Sequence, residues 1–162
     1  MPRKKNPLAD IPPERLERLL LLMDPAHKTG DSIKTTGDAA RLLLPHLVGL
    51  EDEHLVVLFL DRRFHLITVE TLTTGNDMHT VVCPRQIFRR ALLHNASAIV
   101  MGHNHPSGDP EPSRDDLAVT KRVVEVGDII GIKLVDHIVV GSPGRWASIA
   151  DRGGIPKKLG SG

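Results

Sequence analysis

The sequence predicts an α/β fold in which helices flank a mixed β-sheet, with a short helical appendage at the N-terminus. Apolar, β-branched runs alternate with segments of helical periodicity from about residue 46 onward. The chain has 162 residues, of which 40% are hydrophobic, and this suffices for one buried core. We therefore divide it into an N-terminal helical appendage (1–45), a domain (46–152) and a flexible tail (153–162).

The predicted appendage contains two helical segments. In ERLERLLLLM (14–23) the leucines repeat at helical spacing, which indicates a short amphipathic helix. A second helix is expected from residue 36 or 37 to about Leu44. It should end near Pro45, because proline lacks the N–H that a continuing helix needs.

Two strands are then expected to form an antiparallel hairpin. HLVVLFLD and FHLITVETL are apolar, β-branched runs separated by a turn-like pair of arginines. If the turn is centred on residues 61–63, His54 pairs roughly with Glu70. Glu53 and Glu70 would then lie at the same open end of the hairpin.

Helices and strands alternate through the rest of the chain. PRQIFRRALLHN begins with Pro84, a residue favoured at the first helical position, and SAIVMG follows as a short buried strand. A helix from Ser113 to about Ile130 should stop at Gly131 in a left-handed cap. IKLVDHIVVG and WASIA supply the last two strands. The first of these helices has a basic outer face that we expect to be solvated, formed by Arg85, Arg89 and Arg90.

The composition gives no general reason to expect a nucleic-acid or membrane partner. Lys and Arg number 21 against 20 Asp and Glu, for a net charge of +1. Cys83 is the single cysteine, so neither an intrachain disulfide nor a thiolate zinc cluster can form, and a reducing compartment is favoured. No apolar run near the start approaches the length of a membrane span or a signal core. We expect a cytoplasmic protein.

The stretch GHNHPSGDPEPSRDDL contains the residues that point to a metal site. His103 and His105 are two apart at the end of a predicted strand, so both imidazoles should leave the backbone on one side. Asp116 lies in the first turn of the following helix and can supply a third ligand. Two histidines and a carboxylate, with a fourth position left for water, are typical of a hydrolytic zinc site. Zinc lowers the pKa of bound water to about 7.

A structural interpretation of the same residues stays open. Ser113 and Asp116 have the spacing of a helix capping box, and the two histidines could be ordinary loop residues bonded to the backbone. Capping and metal binding are compatible roles for Asp116. The combined spacing H-x-H-P-x6-S-x2-D is much harder to obtain by accident than any one of its parts.

HNHPSGDPEPSRDD resembles the metal-binding signature of the JAB/MPN+ (JAMM) metalloprotease superfamily, and most closely its RadC-like branch. EHLVVLFLD, CPRQIFRRALLHNASAIVMG and GIKLVDHIVVG also look like that branch, so the resemblance extends from about Ile33 to Asp151. It implies an MPN/JAB-like fold and a zinc metalloprotease that hydrolyses a peptide or isopeptide bond. One Zn²⁺ per chain would be held by His103, His105 and Asp116.

The resemblance also implies catalytic residues. Ser113 would help to stabilise the developing oxyanion, and an upstream glutamate would be the general base. An acid directly before the first long strand has that place in RadC-like sequences, which favours Glu53 here. Glu70 is the alternative, because the expected hairpin brings it to the same end.

Two departures from the family pattern bear on the substrate. Many peptide-cleaving relatives have Ser between the two histidines, where this chain has Asn104. RadC-like proteins often carry a helix-hairpin-helix DNA-binding region, and the first 45 residues contain no glycine-bracketed hairpin. A protein or peptide substrate is expected. A metal-dependent DNA-processing protein and a catalytically inert zinc-containing binding module are the alternatives.

Asp136 and His137 are a further candidate pair for orienting a ligand imidazole. Because neighbouring strand residues point to opposite faces, at least one of the two is expected to be structural.

Overall fold

The computed structural model describes residues 30–75, 82–142 and 144–156, together with Pro12 and Arg15. The predicted helix over 14–23, apart from Arg15, and residues 157–162 of the predicted tail lie outside the described residues.

Within these described residues, five strands form one mixed sheet. Its strands are β1 (Glu53–Leu60), β2 (Leu66–Gly75), β3 (Ala98–Asn104), β4 (Lys133–Val140) and β5 (Trp146–Ser148). Their order across the sheet is β2-β1-β3-β4-β5. β3 and β4 are parallel, and the other neighbouring strands are antiparallel. The predicted mixed sheet is confirmed.

Helices cover both faces of this sheet. They are α1 (Thr36–Leu47), α2 (Pro84–Leu93) and α3 (Arg114–Ile130). Buried side chains of α2 and α3 belong to one apolar cluster, and those of α1 belong to a second. The odd-numbered residues of β1 from Leu55 pack in the first cluster and the even-numbered ones in the second. The fold is therefore three layers, with α1 on one side and α2 and α3 on the other.

Helix α1 begins with a capping box and continues past its proline. Thr35 accepts from the backbone N–H of Asp38, whose carboxylate accepts in return from the backbone N–H of Thr35. The helix ends at Leu47, although we predicted an end near Pro45. Pro45 lies in the last turn, where the loss of one N–H interrupts only the end of the helix. Helix α1 packs against β1, β3 and β4. The predicted boundary between an appendage and a domain after residue 45 stays a prediction.

The hairpin register differs from the one predicted. His54 pairs with Thr74 and not with Glu70, which lies opposite Val57. The connecting segment continues to His65, and irregularities in the ladder follow Leu55 and Phe59. Each irregularity shifts the pairing by one residue, so the shift accumulates toward the open end. Glu53 therefore does not share that end with Glu70.

Candidate metal centre

Two histidines and one aspartate converge at the C-terminal end of β3. Nε2 of His103 lies 3.0 Å from Nε2 of His105 and 3.1 Å from Oδ1 of Asp116. Nε2 of His105 lies 3.0 Å from Oδ2 of Asp116. The side chains are 0%, 14% and 6% exposed in that order, so the centre is almost closed to solvent. In the described parts of the chain, no other three metal-binding side chains come together in this way.

The backbone that presents the histidines belongs to the middle of the sheet. β3 runs between β1 and β4, and all its residues are buried. His103 lies within β3, and His105 directly follows its last residue. Their ring centroids are 4.9 Å apart, as expected of side chains two positions apart on one face of a strand.

The loop after His105 is tied to the end of β4. The backbone N–H of His105 donates to the carbonyl of Val140 at 2.9 Å, and that of Ser142 donates to the carbonyl of Gly108 at 3.0 Å. Gly108 has a φ of +86°, a conformation that glycine adopts without strain. These contacts fix the path of the chain from the histidines to helix α3.

Asp116 is held in place by the capping box of α3. Its Oδ2 accepts from the backbone N–H of Ser113 at 2.8 Å, and Ser113 Oγ accepts from the backbone N–H of Asp116 at 3.0 Å. The helix begins at Arg114 and ends at Ile130, and its cap residue Gly131 has a φ of 84°. The predicted cap and stop are confirmed. Capping and convergence on the histidines occur together in Asp116.

The chemistry of the three side chains fits a cation. Nδ1 of His105 lies 2.8 Å from the carbonyl oxygen of Asp109, which can only accept, so this nitrogen carries the N–H. In the neutral ring, Nε2 then presents its lone pair to Asp116 and His103. A tetrahedral zinc site with bonds of about 2.0–2.1 Å has ligand atoms roughly 3.3–3.4 Å apart, close to the separations above. The residues present therefore fit a zinc ion.

The electrostatics of the centre also favour a positive charge. The hydrogen bond to Asp116 raises the pKa of His105 above its ordinary value, helped by the Asp109 carbonyl and the charge of Glu53 and opposed by burial. Burial alone would raise the pKa of the Asp116 carboxyl. The neighbouring imidazoles and the Ser113 N–H outweigh it and hold this pKa far below the ordinary range. Asp116 is therefore a carboxylate, as metal binding requires.

A second layer of buried polar groups lies behind His103. Its Nδ1 is 2.7 Å from Nε2 of His137, whose Nδ1 is 2.6 Å from Oγ1 of Thr120. His137 is fully buried, and burial lowers its pKa well below the ordinary value. We expected at least one residue of the Asp136–His137 pair to be structural. The sequence could not indicate which one faces the centre.

Asp136 points to the opposite face of β4 from His137. It is the residue of the pair that has a structural role. It accepts from the hydroxyl of Ser148 at 2.6 Å and from the backbone N–H groups of His137 and Ala150 at 2.6 Å and 3.0 Å. Burial raises the pKa of Asp136 although these hydrogen bonds act to lower it. Its carboxyl ties β4 to β5 and the turn that follows.

Glu53 lies at the rim of the centre, at the start of β1. Leu55 pairs with His103, so the residue two positions earlier lies near His105, which directly follows β3. Asn104 fixes this end of β1, because its Oδ1 accepts from the backbone N–H of His54 at 2.8 Å. Its Nδ2 donates to the carbonyl of Asp52 at 3.0 Å. The residues on either side of Glu53 are therefore bound to the residue between the two histidines, a role that the sequence analysis did not find.

Glu70 lies elsewhere and has a different environment. Its carboxylate accepts from Nε and Nη2 of Arg90 at 2.7 Å and 2.5 Å and lies 2.5 Å from Nε2 of His94. The hydrogen bonds from Arg90 hold the pKa of Glu70 below its ordinary value. Arg90 was expected on a solvated basic face, and its side chain is 38% exposed, but its guanidinium is also paired with Glu70. A contact between α2 and β2 could not be inferred without the register of the hairpin.

An open cleft leads to the centre along the ends of the strands. It has a volume of about 440 Å³ and its lining includes Glu51, Asp52, His54, Asn104 and His105. The Ser113 side chain is exposed, and its oxygen already accepts the capping bond. The hydroxyl hydrogen of Ser113 is not required for that bond, since the hydroxyl acts there as acceptor.

Known proteins are similar to this chain over most of its length. The family model described as RadC-like JAB domain matches residues 33–154. A UPF0758 protein of Methanococcoides burtonii is 40% identical over 132 residues, which cover 82% of this chain and 56% of the relative. A UPF0758 protein of Xanthomonas oryzae pv. oryzae is 40% identical over 166 residues, covering 91% of this chain and 73% of the relative. One of Listeria welshimeri is 44% identical over 121 residues, covering 75% and 54%.

The chain thus spans little more than half the length of several curated relatives that it matches. Among the described residues, no helix combines the length and apolar character needed to cross a membrane.

Proposed function

This chain belongs to the RadC-like JAB domain family, and we propose that it is a zinc-dependent hydrolase that cleaves a peptide or isopeptide bond. The observation that carries the proposal is the convergence of His103, His105 and Asp116 within a domain of this family. Families with a JAB domain are commonly hydrolytic. The relatives above are named only as UPF0758 proteins, so the substrate is proposed from the chemistry of the site.

The three side chains would hold one zinc ion per chain, with both imidazoles binding through Nε2. The ion would supply Lewis-acid polarisation of the scissile carbonyl and would lower the pKa of a water molecule at the open vertex. The positions of Asp109 and Asp116 support this role, because they direct the N–H of His105 away from the centre and a carboxylate toward it.

Glu53 would be the general base. It would take a proton from the attacking water and pass it to the leaving amine as the bond to the carbonyl carbon breaks. Its place near His105, directly beyond the Leu55–His103 pair of β1 and β3, supports this role, as does the effect of its charge on the His105 imidazole. Asn104 holds the flanking backbone, which limits the positions that the carboxylate can adopt. Glu70 is not proposed as the base, because Arg90 and His94 bind its carboxylate.

Ser113 would donate a hydrogen bond to the carbonyl oxygen as negative charge develops on it. Its exposed hydroxyl lies at the N-terminus of α3, next to the ligand Asp116. A donor placed where negative charge develops stabilises the transition state more than the ground state, because its hydrogen bond to the carbonyl oxygen strengthens as the charge grows.

We propose a protein or peptide as the substrate, entering along the cleft beside His105. The lining of this cleft includes two exposed acids, Glu51 and Asp52, and one exposed arginine, Arg15. The acids outnumber the arginine, and acidic side chains repel a phosphate backbone, which disfavours a DNA-processing role. The cytoplasmic location stays a prediction.

The test uses the purified chain loaded with one equivalent of zinc. A library of internally quenched peptides and a set of lysine isopeptides are assayed beside plasmid and single-stranded DNA. We expect zinc-dependent peptide or isopeptide cleavage that is lost in Glu53→Gln with unchanged zinc content. Glu125→Gln, an exposed glutamate of α3 that does not line the cleft, is the matched control and should keep the wild-type rate.

Three outcomes would overturn parts of the proposal. Cleavage of DNA without cleavage of peptides would favour the DNA-processing alternative. Stoichiometric zinc with no turnover on any substrate would favour an inert binding module. An unchanged rate in Glu53→Gln would remove Glu53 from the mechanism.

A further inference from the structure

We propose that His137 and Thr120 set the tautomer of His103, so that its Nε2 presents a lone pair to the metal. Both would be positioning residues, since neither reaches the candidate centre itself. The inference rests on the proposed function to the extent that it assumes a metal at the same centre. It does not depend on what the site hydrolyses.

The two residues form a buried chain of hydrogen bonds with His103. Nδ1 of His103 is 2.7 Å from Nε2 of His137, and Nδ1 of His137 is 2.6 Å from Oγ1 of Thr120. The hydroxyl of Thr120 donates to the backbone carbonyl of Asp116 at 2.7 Å. All four residues are buried, with 0% exposure for His103 and Thr120, 1% for His137 and 5% for Asp116.

The proton positions follow from the last acceptor in this chain. The carbonyl of Asp116 can only accept, so the single hydroxyl proton of Thr120 is used there. Thr120 Oγ1 must then accept from Nδ1 of His137. A neutral imidazole has one N–H, which leaves Nε2 of His137 as an acceptor. The N–H of His103 is therefore on Nδ1, and its Nε2 faces Asp116 without a proton.

The opposite order of donors would block the metal. If Thr120 donated to Nδ1 of His137, the proton of His137 would lie on Nε2 and would be donated to Nδ1 of His103. Neutral His103 would then carry its proton on Nε2, at the position where the metal binds. The bond from Thr120 to the Asp116 carbonyl selects against this order. Thr120 is thus the residue that gives the chain its direction.

His105 needs no such relay, which makes it an internal reference. Its Nδ1 donates directly to the carbonyl of Asp109, and a carbonyl fixes the tautomer without further partners. The relay, by contrast, begins and ends on metal ligands: it starts at the ring of His103 and closes on the backbone of Asp116. It also links α3 to β4 directly behind the centre. A change in Thr120 should therefore disturb His103 and leave the His105 tautomer as it is.

The first experiment reads the tautomers directly. Long-range ¹H–¹⁵N spectra of uniformly labelled, zinc-loaded wild-type protein distinguish Nδ1–H from Nε2–H imidazoles. We expect the Nδ1–H form for His137, assigned by its loss in His137→Gln. A His137 ring with its proton on Nε2 would overturn the proposal, and this result needs no activity measurement.

The second experiment measures zinc affinity by competition with a chelator. Thr120→Val keeps the shape and removes the hydroxyl, and we expect affinity to fall by about 10–100-fold. Thr120→Ser keeps the hydroxyl and should restore affinity to within a few-fold of wild type. Equal affinity in the two variants would overturn the role of Thr120. Thermal melting of the zinc-free proteins shows whether a loss of zinc affinity is caused by misfolding. If it is, the tautomer spectrum of the wild-type protein tests the proposal instead.

The two proposals can fail separately. A zinc affinity that depends on Thr120 in a protein without hydrolytic activity would support the relay and contradict the proposed function. Hydrolytic activity in a protein whose zinc affinity does not change in Thr120→Val would support the proposed function and contradict the relay.

Discussion

Oδ1 of Asn104 accepts a hydrogen bond of 2.8 Å from the backbone N–H of His54, across the ladder between β3 and β1. Asn104 separates the two candidate metal ligands, and His54 directly follows the candidate base. One buried amide, 3% exposed, therefore links the histidines of the centre to the segment that carries Glu53.

Asn104→Ala should weaken both the fold and the proposed reaction. It removes two hydrogen bonds and leaves the His54 N–H without this acceptor, a loss of about 1–3 kcal/mol in the free energy of unfolding. We expect zinc affinity to change less than turnover, because the ligands remain. Urea denaturation and zinc titration measure the two effects. Asn104→Asp keeps the acceptor for His54 and should be intermediate. A turnover that falls only in proportion to zinc content would contradict the role of Asn104 in placing Glu53.

Replacement of any candidate ligand should abolish stoichiometric zinc. Asp116→Asn removes the charge of the buried carboxylate while its backbone and the Ser113 cap position remain. Elemental analysis of the purified protein should show less than one-tenth of the wild-type zinc, since three ligands hold the ion. Asp115→Asn changes the exposed neighbour in the same helical turn and is the matched control. Wild-type zinc content in Asp116→Asn would exclude this carboxylate as a ligand.

Ser113→Ala should reduce the rate without removing the metal. The variant loses the side-chain cap of α3, worth about 1 kcal/mol, and the proposed donor to the developing oxyanion. Loss of one such donor lowers kcat by about 10²–10³-fold. Zinc should be retained, because Asp116 accepts from the backbone N–H of residue 113, which alanine also has. Ser113→Thr restores cap and hydroxyl and should recover most of the rate. A rate unchanged in Ser113→Ala removes Ser113 from the mechanism.

Gly141→Ala should displace the loop between the histidines and α3. A Cβ at Gly141 would lie 2.3 Å from the carbonyl oxygen of Gly108 and 2.9 Å from the backbone nitrogen of Pro110, and neither backbone atom can yield easily. We expect a loss of stability of about 1–3 kcal/mol and weaker zinc binding. Gly37→Ala is the control, since its Cβ would have ordinary contact at 3.6 Å within helix α1. Equal melting temperatures for the two variants would contradict the close approach.

Glu70→Gln should act on stability and leave the proposed reaction intact. Hydrogen bonds from Arg90 hold the pKa of Glu70 below its ordinary value of 4.5, so the carboxylate stabilises the fold above that pH. The contribution is lost as pH falls through the lower, folded-state pKa. Thermal melts should therefore show Glu70→Gln below wild type at pH 7, with the difference shrinking at pH values under 4.5. If Glu70→Gln lost turnover at full zinc content, Glu70 would replace Glu53 as the candidate general base.

The register of the β1–β2 hairpin could not be predicted from the sequence. The strands of β1 and β2 were recognisable from their β-branched runs, but the predicted partner of Glu70 was wrong, because the connecting segment continues to His65 and a ladder irregularity follows Phe59. A bulge leaves no clear signal in a pattern of apolar residues. The contact between Glu70 and Arg90 depends on that register and on the packing of α2, so it was missed as well.

The sequence by itself determined the mixed α/β fold, the cap at Ser113, the stop at Gly131 and the three candidate ligands. Each depends on spacing over a few residues, where backbone geometry fixes the direction of a side chain. The tertiary structure alone decided that His137 and not Asp136 faces His103, and that Asn104 binds the segment around Glu53. These contacts join residues 34 and 50 positions apart, and their geometry is set by the alignment of strands and helices.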